Sequence, residues 1–300
     1  MLTKLYRKYV SQEVRNKIYD IFLGGILFFF RNFSENIKAK SYYYFRWFLS
    51  DTEKNRCYIF MGKHKLMPLP YPFRLEYSKI DVDCQFDEKY GMFFVNHFGN
   101  KLYFSKSLRK KEVINKYQQL TSEQDPRSPH QYVKDINQLQ GKILLDIGAA
   151  EAMFSLDAIN SVKKVYLFEC KQEWIDALKL TFASWENKVE IINKYVSDSN
   201  DENNITIDHF LERKEKESLF LKMDIEGYEQ AALRGAVKTF RDAQDIDFSI
   251  TTYHKKNDEQ KIAEFLQHYN LEYEQTEGYF FCLLKGNKGL RRAIIRSKTI

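Results

Sequence analysis

The pattern of apolar and polar positions changes character twice along the chain. Through residues 1–50 apolar and basic positions interleave at helical spacing, densest at Ser41-Tyr42-Tyr43-Tyr44-Phe45-Arg46-Trp47-Phe48. From Phe73 to Lys106 the pattern alternates as in strands. Met92-Phe93-Phe94-Val95, the turn His97-Phe98-Gly99-Asn100 and Leu102-Tyr103-Phe104 predict a hairpin, and a charged helix is expected near Leu108–Thr121. The breaker stretch Gln124-Asp125-Pro126-Arg127-Ser128-Pro129 sets the main boundary, dividing a region 1–125 from a domain 126–300.

Beyond that boundary strands and helices alternate. Strands are expected at Ile143–Ile147, Val165–Phe168, Val189–Val196, Leu219–Met223 and Ile246–Tyr253. Helices are expected at Gln172–Trp185, Gly227–Phe240 and Asp258–Tyr269. This order predicts a doubly wound α/β sheet behind an α+β N-terminal extension. Leu271–Tyr273 and Tyr279–Leu284 are expected to pair as a closing antiparallel hairpin.

Composition narrows the class. Twelve Gly and 5 Pro in 300 residues exclude a collagenous or low-complexity chain, and 16% aromatics exclude a disordered one. The formal charge of +6 is uneven. Residues 1–70 carry 13 basic and 5 acidic side chains and residues 285–300 carry 6 basic and no acidic ones, which leaves the middle acidic. A general nucleic-acid-binding surface is therefore not expected. Four widely spaced cysteines without a C-x-x-C suit a reducing cytosol rather than a zinc site or a disulfide framework. The apolar run Ile21–Phe30, ~15 Å long as a helix, is too short to span a bilayer. A buried helix is the favoured reading and a membrane-surface anchor the other. No small-residue cleavage site follows, so a signal peptide is not expected. The expected location is cytoplasmic, with membrane-peripheral or partner-protein contact through residues 1–50.

Four segments carry candidate chemistry. In Leu145-Asp146-Ile147-Gly148-Ala149-Ala150-Glu151-Ala152 a strand ends in a carboxylate and turns through small residues, letting a ligand approach the backbone. A pyrophosphate reader wants G-x-G-x-x-G, and this loop holds one glycine. S-adenosylmethionine, with its cationic sulfonium and ammonium groups, suits the acid Asp146. Glu169, 23 residues on at the tip of the next strand, can accept two hydrogen bonds from ribose hydroxyls of either nucleotide. It can equally cap the next helix. Ser197 and Asp198 after the third strand can reach an adenine edge, or simply make a turn. Asp224 and Glu226, within Lys222-Met223-Asp224-Ile225-Glu226-Gly227, straddle a strand end where the sheet order reverses. Either could take a hydroxyl proton; Asp224 could instead hold the cofactor's amino acid portion and Glu226 cap the following helix. His254, after the fifth strand, is a second candidate base as a neutral imidazole, its bland alternative being a backbone hydrogen bond. No metal set is expected.

These motifs in this order resemble the FkbM-type S-adenosylmethionine-dependent methyltransferases. The resemblance rests on Asp146–Glu151, Tyr166-Leu167-Phe168-Glu169, Ile207-Asp208-His209-Phe210, Lys222–Gly227 and Thr252-Tyr253-His254, and takes in Ser128-Pro129-His130-Gln131-Tyr132. Ala152 stands where the family more often has glycine and Ala150 where many members have asparagine. The resemblance implies a class I, Rossmann-like methyltransferase fold with a seven-stranded sheet. It implies S-adenosylmethionine over Asp146, Gly148, Ala149 and Glu151, ribose on Glu169, adenine near Ser197 and Asp198, and the methyl group facing Asp224, Glu226 and His254. The expected reaction is O-methylation of a hydroxyl on a saccharide or glycan precursor. The alternatives are a NAD-dependent oxidoreductase, disfavoured by the missing glycines, and a nucleoside-binding scaffold without catalysis in glycan assembly.

Overall fold

A computed structural model describes residues 24–298, apart from residues 213, 215, 216, 243 and 244. The chain divides into two compact units, Met1–Pro70 and Tyr71–Ile300. The expectations for residues 1–23, including the start of the run Ile21–Phe30, lie outside the described residues.

In the first unit, helices α1 (Gly24–Arg31), α2 (Phe33–Tyr44) and α3 (Glu53–Lys63) follow one another. Thr52 caps α3 by accepting a hydrogen bond from the Asn55 N–H. A Cβ built on Gly62 would stand 2.1 Å from the Ala39 carbonyl oxygen, so α2 and α3 cross backbone to backbone. Lys40 Nζ donates to the Gly62 carbonyl across the same crossing (2.8 Å). Of the run expected to be buried, Leu27, Phe28, Phe29 and Phe30 are exposed instead.

The second unit begins 55 residues before the compositional boundary, because the segment between them packs into the later domain. Strands β1 (Cys84–Asp87), β2 (Met92–His97) and β3 (Asn100–Tyr103) form an antiparallel sheet. Met92, Phe94 and Tyr103 share a core with Ala177 of α6 (Gln172–Thr181), which follows α4 (Lys110–Glu123) and α5 (Met153–Ala158). The Tyr103 N–H donates to Thr181 Oγ1 (3.0 Å). Buried His97 bridges Tyr117 of α4 and Asp157 of α5 at 2.9 and 2.6 Å.

The strands that follow are β4 (Ile143–Ile147), β5 (Lys164–Phe168), β6 (Val189–Ile192), β7 (Tyr195–Val196), β8 (Asn204–Ile205), β9 (Leu219–Met223), β10 (Ile246–Thr251), β11 (Tyr273–Gln275), β12 (Phe280–Cys282), β13 (Gly289–Arg291) and β14 (Ile294–Ser297). Seven of them form the main sheet, in the order β11-β14-β10-β9-β4-β5-β6. Every residue of β4 and β9 is buried, as in central strands covered on both faces. The five strands β10, β9, β4, β5 and β6 are parallel, and β14 runs antiparallel to β10 and β11. The order reverses between β4 and β9, which opens a crevice at their carboxyl ends.

Three elements differ from expectation. The last strand is Ile294–Ser297, inside the basic tail. Its cations are used internally: Arg296 pairs with Glu274 (2.7 Å), and Arg291 and Arg292 donate to the carbonyls of Tyr253 and Gly278. Phe280–Cys282 pairs with Gly289–Arg291 rather than with the segment near Tyr273. The helix expected at Gly227–Phe240 is two, α8 (Glu229–Arg234) and α9 (Val237–Asp242), after the short α7 (Ile207–Leu211). The break lies at Gly235, where a Cβ would stand 2.1 Å from the Ser197 carbonyl oxygen.

Candidate active site

The loops leaving β4, β5, β9 and β10 make the site. Gly148 has φ +81°, and a Cβ on it would stand 2.1 Å from the Asp224 carbonyl oxygen. The N–H groups of Gly148 and Ala149 donate to the Phe168 carbonyl (both 3.1 Å), and Asp224 N–H donates to Ile147 (3.0 Å). Ala150 and Ala152 have φ +46° and +51°. The two departures from the family pattern therefore sit where the backbone favours Asn or Gly.

Glu169 is fixed at the tip of β5. Its Oε2 accepts from Ala150 N–H (3.0 Å) and its Oε1 from Cys170 and Lys171 N–H (both 2.8 Å). Lone pairs remain on the carboxylate for a vicinal diol.

Asp146 does not present a free carboxylate. It is 1% exposed, lies 2.8 Å from Lys222 Nζ and accepts from Ser155 Oγ at 2.6 Å. Lys222 also donates to the Gly148 carbonyl (2.8 Å). The acid expected to face a cofactor cation is neutralised by a lysine of β9 and positions the loop instead. Glu151 is likewise buried, 3.3 Å from Lys116 Nζ of α4. Burial raises its pKa, and Lys116 opposes that rise. The Asp198 carboxylate is exposed and held by Arg234 at 2.9 and 2.7 Å, while Ser197 is half-buried.

Asp224 and His254 come together, and Glu226 acts on His254 only through its charge. Asp224 Oδ2 accepts from Tyr132 Oη (2.8 Å) and lies 3.7 Å from His130 Nε2; its Oδ1 lies 3.6 Å from His254 Nε2. Burial pushes its pKa up, but His254, Lys222, His130 and the Tyr132 hydrogen bond hold it below the ordinary value. Glu226 is exposed, with φ +57°.

His254 is 3% exposed, with Nδ1 2.8 Å from Glu229 Oε1. Burial alone would lower its pKa. The hydrogen bond to Glu229 and the charges of Asp224, Glu229 and Glu226 outweigh that and raise it to about 9. At neutral pH it is an imidazolium, and the expectation of a neutral base is reversed.

Several residues of this cluster escaped the sequence reading. Glu229 Oε1 receives the N–H groups of Ile225 (3.0 Å) and Gly227 (3.3 Å) as well as Thr251 Oγ1 (3.2 Å) and His254. It therefore fixes the whole Asp224–Gly227 loop. His130 Nε2 meets Tyr253 Oη at 3.2 Å. Lys222 carried a visible signal: a lysine inside an apolar strand is retained when an anion is buried beside it. Asp224, Glu229 and His254 place three possible ligand atoms within 4.8 Å of one another. Each ring nitrogen faces a different carboxylate, which makes a hydrogen-bonded chain with the imidazole in the middle.

Residues 146–276 match the family described as the methyltransferase FkbM domain. Over this stretch the chain resembles a methyltransferase FkbM domain. Lys116, His130 and Tyr132 reach the site from outside those residues, and the seven-stranded sheet is mostly parallel, as the sequence led us to expect. FkbM methyltransferases in general use S-adenosylmethionine. The structure of methyltransferase FkbM from Methylobacillus flagellatus KT is 14% identical, over 62% of this chain and 52% of that one, with a TM-score of 0.42. This chain thus spans about half the length of that protein. Precorrin-6y C5,15-methyltransferase from Geobacter metallireducens GS-15 is 12% identical over 54% of this chain and 81% of that one, with a TM-score of 0.37. A putative RNA methyltransferase from Pyrococcus horikoshii is 15% identical over 76% and 96%, with a TM-score of 0.36. No curated protein matches the sequence.

Proposed function

We propose that this chain transfers a methyl group from S-adenosylmethionine to a hydroxyl, the acceptor being a saccharide or glycan precursor. The observation that supports it most is the Asp224 carboxylate. It is ionised and partly open, and the backbone of the same residue lies against Gly148 at the reversal of the sheet.

The residues present fit the cofactor. The fixed Glu169 carboxylate suits the ribose diol, and Ser197 with the loop before Asp198 suits the adenine side. The Ala149 and Ala150 backbone, with Glu151, would hold the methionine portion. Two buried polar atoms of the cluster, His130 Nδ1 and Glu229 Oε2, have no hydrogen-bond partner among the described residues. S-adenosylmethionine, when bound, supplies the methyl group.

Methylating a neutral hydroxyl creates a strongly acidic oxonium, so a carboxylate of lowered pKa suffices as proton acceptor. Asp224 holds that role. Glu226 stands beside it, open to solvent. His254, held cationic by Glu229, fixes the orientation of Asp224 and keeps it ionised until the proton arrives. Alignment of donor and acceptor provides the rest.

Calorimetric titration with S-adenosylmethionine, S-adenosylhomocysteine and NAD tests the cofactor. Binding of NAD with no response to either sulfur compound would sink the reading in favour of an oxidoreductase. Transfer of labelled methyl to a panel of saccharides, with and without Asp224→Asn, tests the reaction. Cofactor binding with no transfer to any hydroxyl acceptor would leave the scaffold reading.

A further inference from the structure

Among the described residues of the first unit, α2 leaves much of its aromatic surface exposed. The only buried residue of α2 is Ala39, against Gly62 of α3. Phe33, Ile37 and Tyr44, at helical spacing i, i+4 and i+11, are 51%, 47% and 66% exposed. The chain then turns through Phe45, Trp47 and Phe48, and the last two are 78% and 86% exposed. Arg46 lies between them, its guanidinium over the rings of Tyr43 and Trp47 at 4.8 and 4.7 Å.

We propose that the stripe Phe33–Ile37–Tyr44, continued by Phe45, Trp47 and Phe48, docks on the surface of a bilayer containing anionic lipid. Helices α1 and α2, of 8 and 12 residues, reach ~12 and ~18 Å, short of the ~30 Å hydrocarbon core. Among the described residues no helix is long and apolar enough to cross a membrane. An apolar side of this length suits the interface, where Trp and Tyr are favoured.

Charge selects the occupant. Residues 1–70 carry 13 basic and 5 acidic side chains. A second copy of the chain would bring like charge against this face, whereas an anionic leaflet attracts it. Arg46 stacked on aromatic rings can follow them into the headgroup layer with its charge partly screened.

The test is flotation of the full chain with vesicles of phosphatidylcholine alone and of phosphatidylcholine mixed with phosphatidylglycerol. Binding to the mixed vesicles, weakened by added salt, is expected. Trp47→Ala/Phe48→Ala and Phe33→Ser/Ile37→Ser should each cut the bound fraction about tenfold, with melting temperatures unchanged because these side chains are exposed. Equal binding to both vesicle types, or to neither, overturns the proposal. So does binding that both double variants retain. Light scattering provides the other arm. A dimer abolished by Trp47→Ala/Phe48→Ala, with vesicles ignored, would assign the face to a second copy. None of these outcomes depends on methyl transfer, so the proposal stands or falls apart from that reading.

Discussion

Gly148 and Asp224, 76 positions apart, meet so closely that a Cβ on the first would lie 2.1 Å from the carbonyl oxygen of the second. Both sides of that contact are backbone, so no rotamer change relieves it. Gly148→Ala should therefore separate the β4 and β9 loops. Overpacking costs about 1–3 kcal/mol, and a Cβ at φ +81° adds about 1–2 kcal/mol. Urea unfolding and titration with S-adenosylhomocysteine should show lower stability and weaker binding together. Wild-type affinity in this variant would mean that the contact does not shape the site.

The second relationship is the buried pair of Lys222 and Asp146. Removing one partner leaves a charge in the core, so Lys222→Met should cost about 3–5 kcal/mol. Asp146→Asn keeps the Ser155 contact but strands the Lys222 ammonium, and should cost a similar amount. The double variant should be more stable than either loss predicts, because no unpaired charge remains. Denaturant curves of the four proteins measure this coupling, and simple additivity would refute it.

His254 gives the molecule a pH dependence with a definite sign. Its pKa is about 9 in the folded chain against an ordinary 6.5. The stability it contributes is complete below about pH 6.5 and is lost as pH rises through about 9, a change of about 3 kcal/mol. Thermal melts across this range should fall on the alkaline side, and His254→Asn should flatten the curve. Turnover should follow the same alkaline limb, since the imidazolium that orients Asp224 is lost there. A rate that instead rises through pH 6.5 would restore the neutral-base role. Glu229→Gln should lower the pKa of His254 and loosen Ile225 and Gly227 in one step.

How far the sequence carries depends on the range of each interaction. The strands of the sheet are legible because unbroken apolar runs such as Leu219–Met223 admit few other environments. Glu169, Asp224 and His254 are legible because they sit at strand ends. Glu229 is not, since its partner His254 is 25 positions away and a glutamate in a first helical turn has an ordinary local reason to be there. Asp146 misleads for the same reason: its partner Lys222 lies 76 positions on. The strand Ile294–Ser297 hides among arginines whose acceptors, Glu274 and the Gln131 carbonyl, only the fold brings close. Gly235 looks like one tolerated glycine within a helix until Ser197 is set against it.

The alanines at positive φ yield the last prediction. Ala150 is half-buried at φ +46°, and its N–H holds Glu169. A Cβ in the left-handed region costs about 1–2 kcal/mol, while glycine adds about 0.4–1 kcal/mol of unfolded-state entropy. Ala150→Gly should therefore raise stability by about 0.5–1 kcal/mol. Ala152, at φ +51°, differs because it is 3% exposed. Losing its methyl forfeits about 0.8 kcal/mol of burial, so Ala152→Gly should be nearly neutral. Asparagine at 150 keeps its own tolerance of the left-handed region and should match or exceed glycine. Differential scanning calorimetry of the three variants decides the matter. A fall in melting temperature for Ala150→Gly would show that the strain is repaid by contacts of the Ala150 methyl, and that the loop is held by packing rather than by backbone preference.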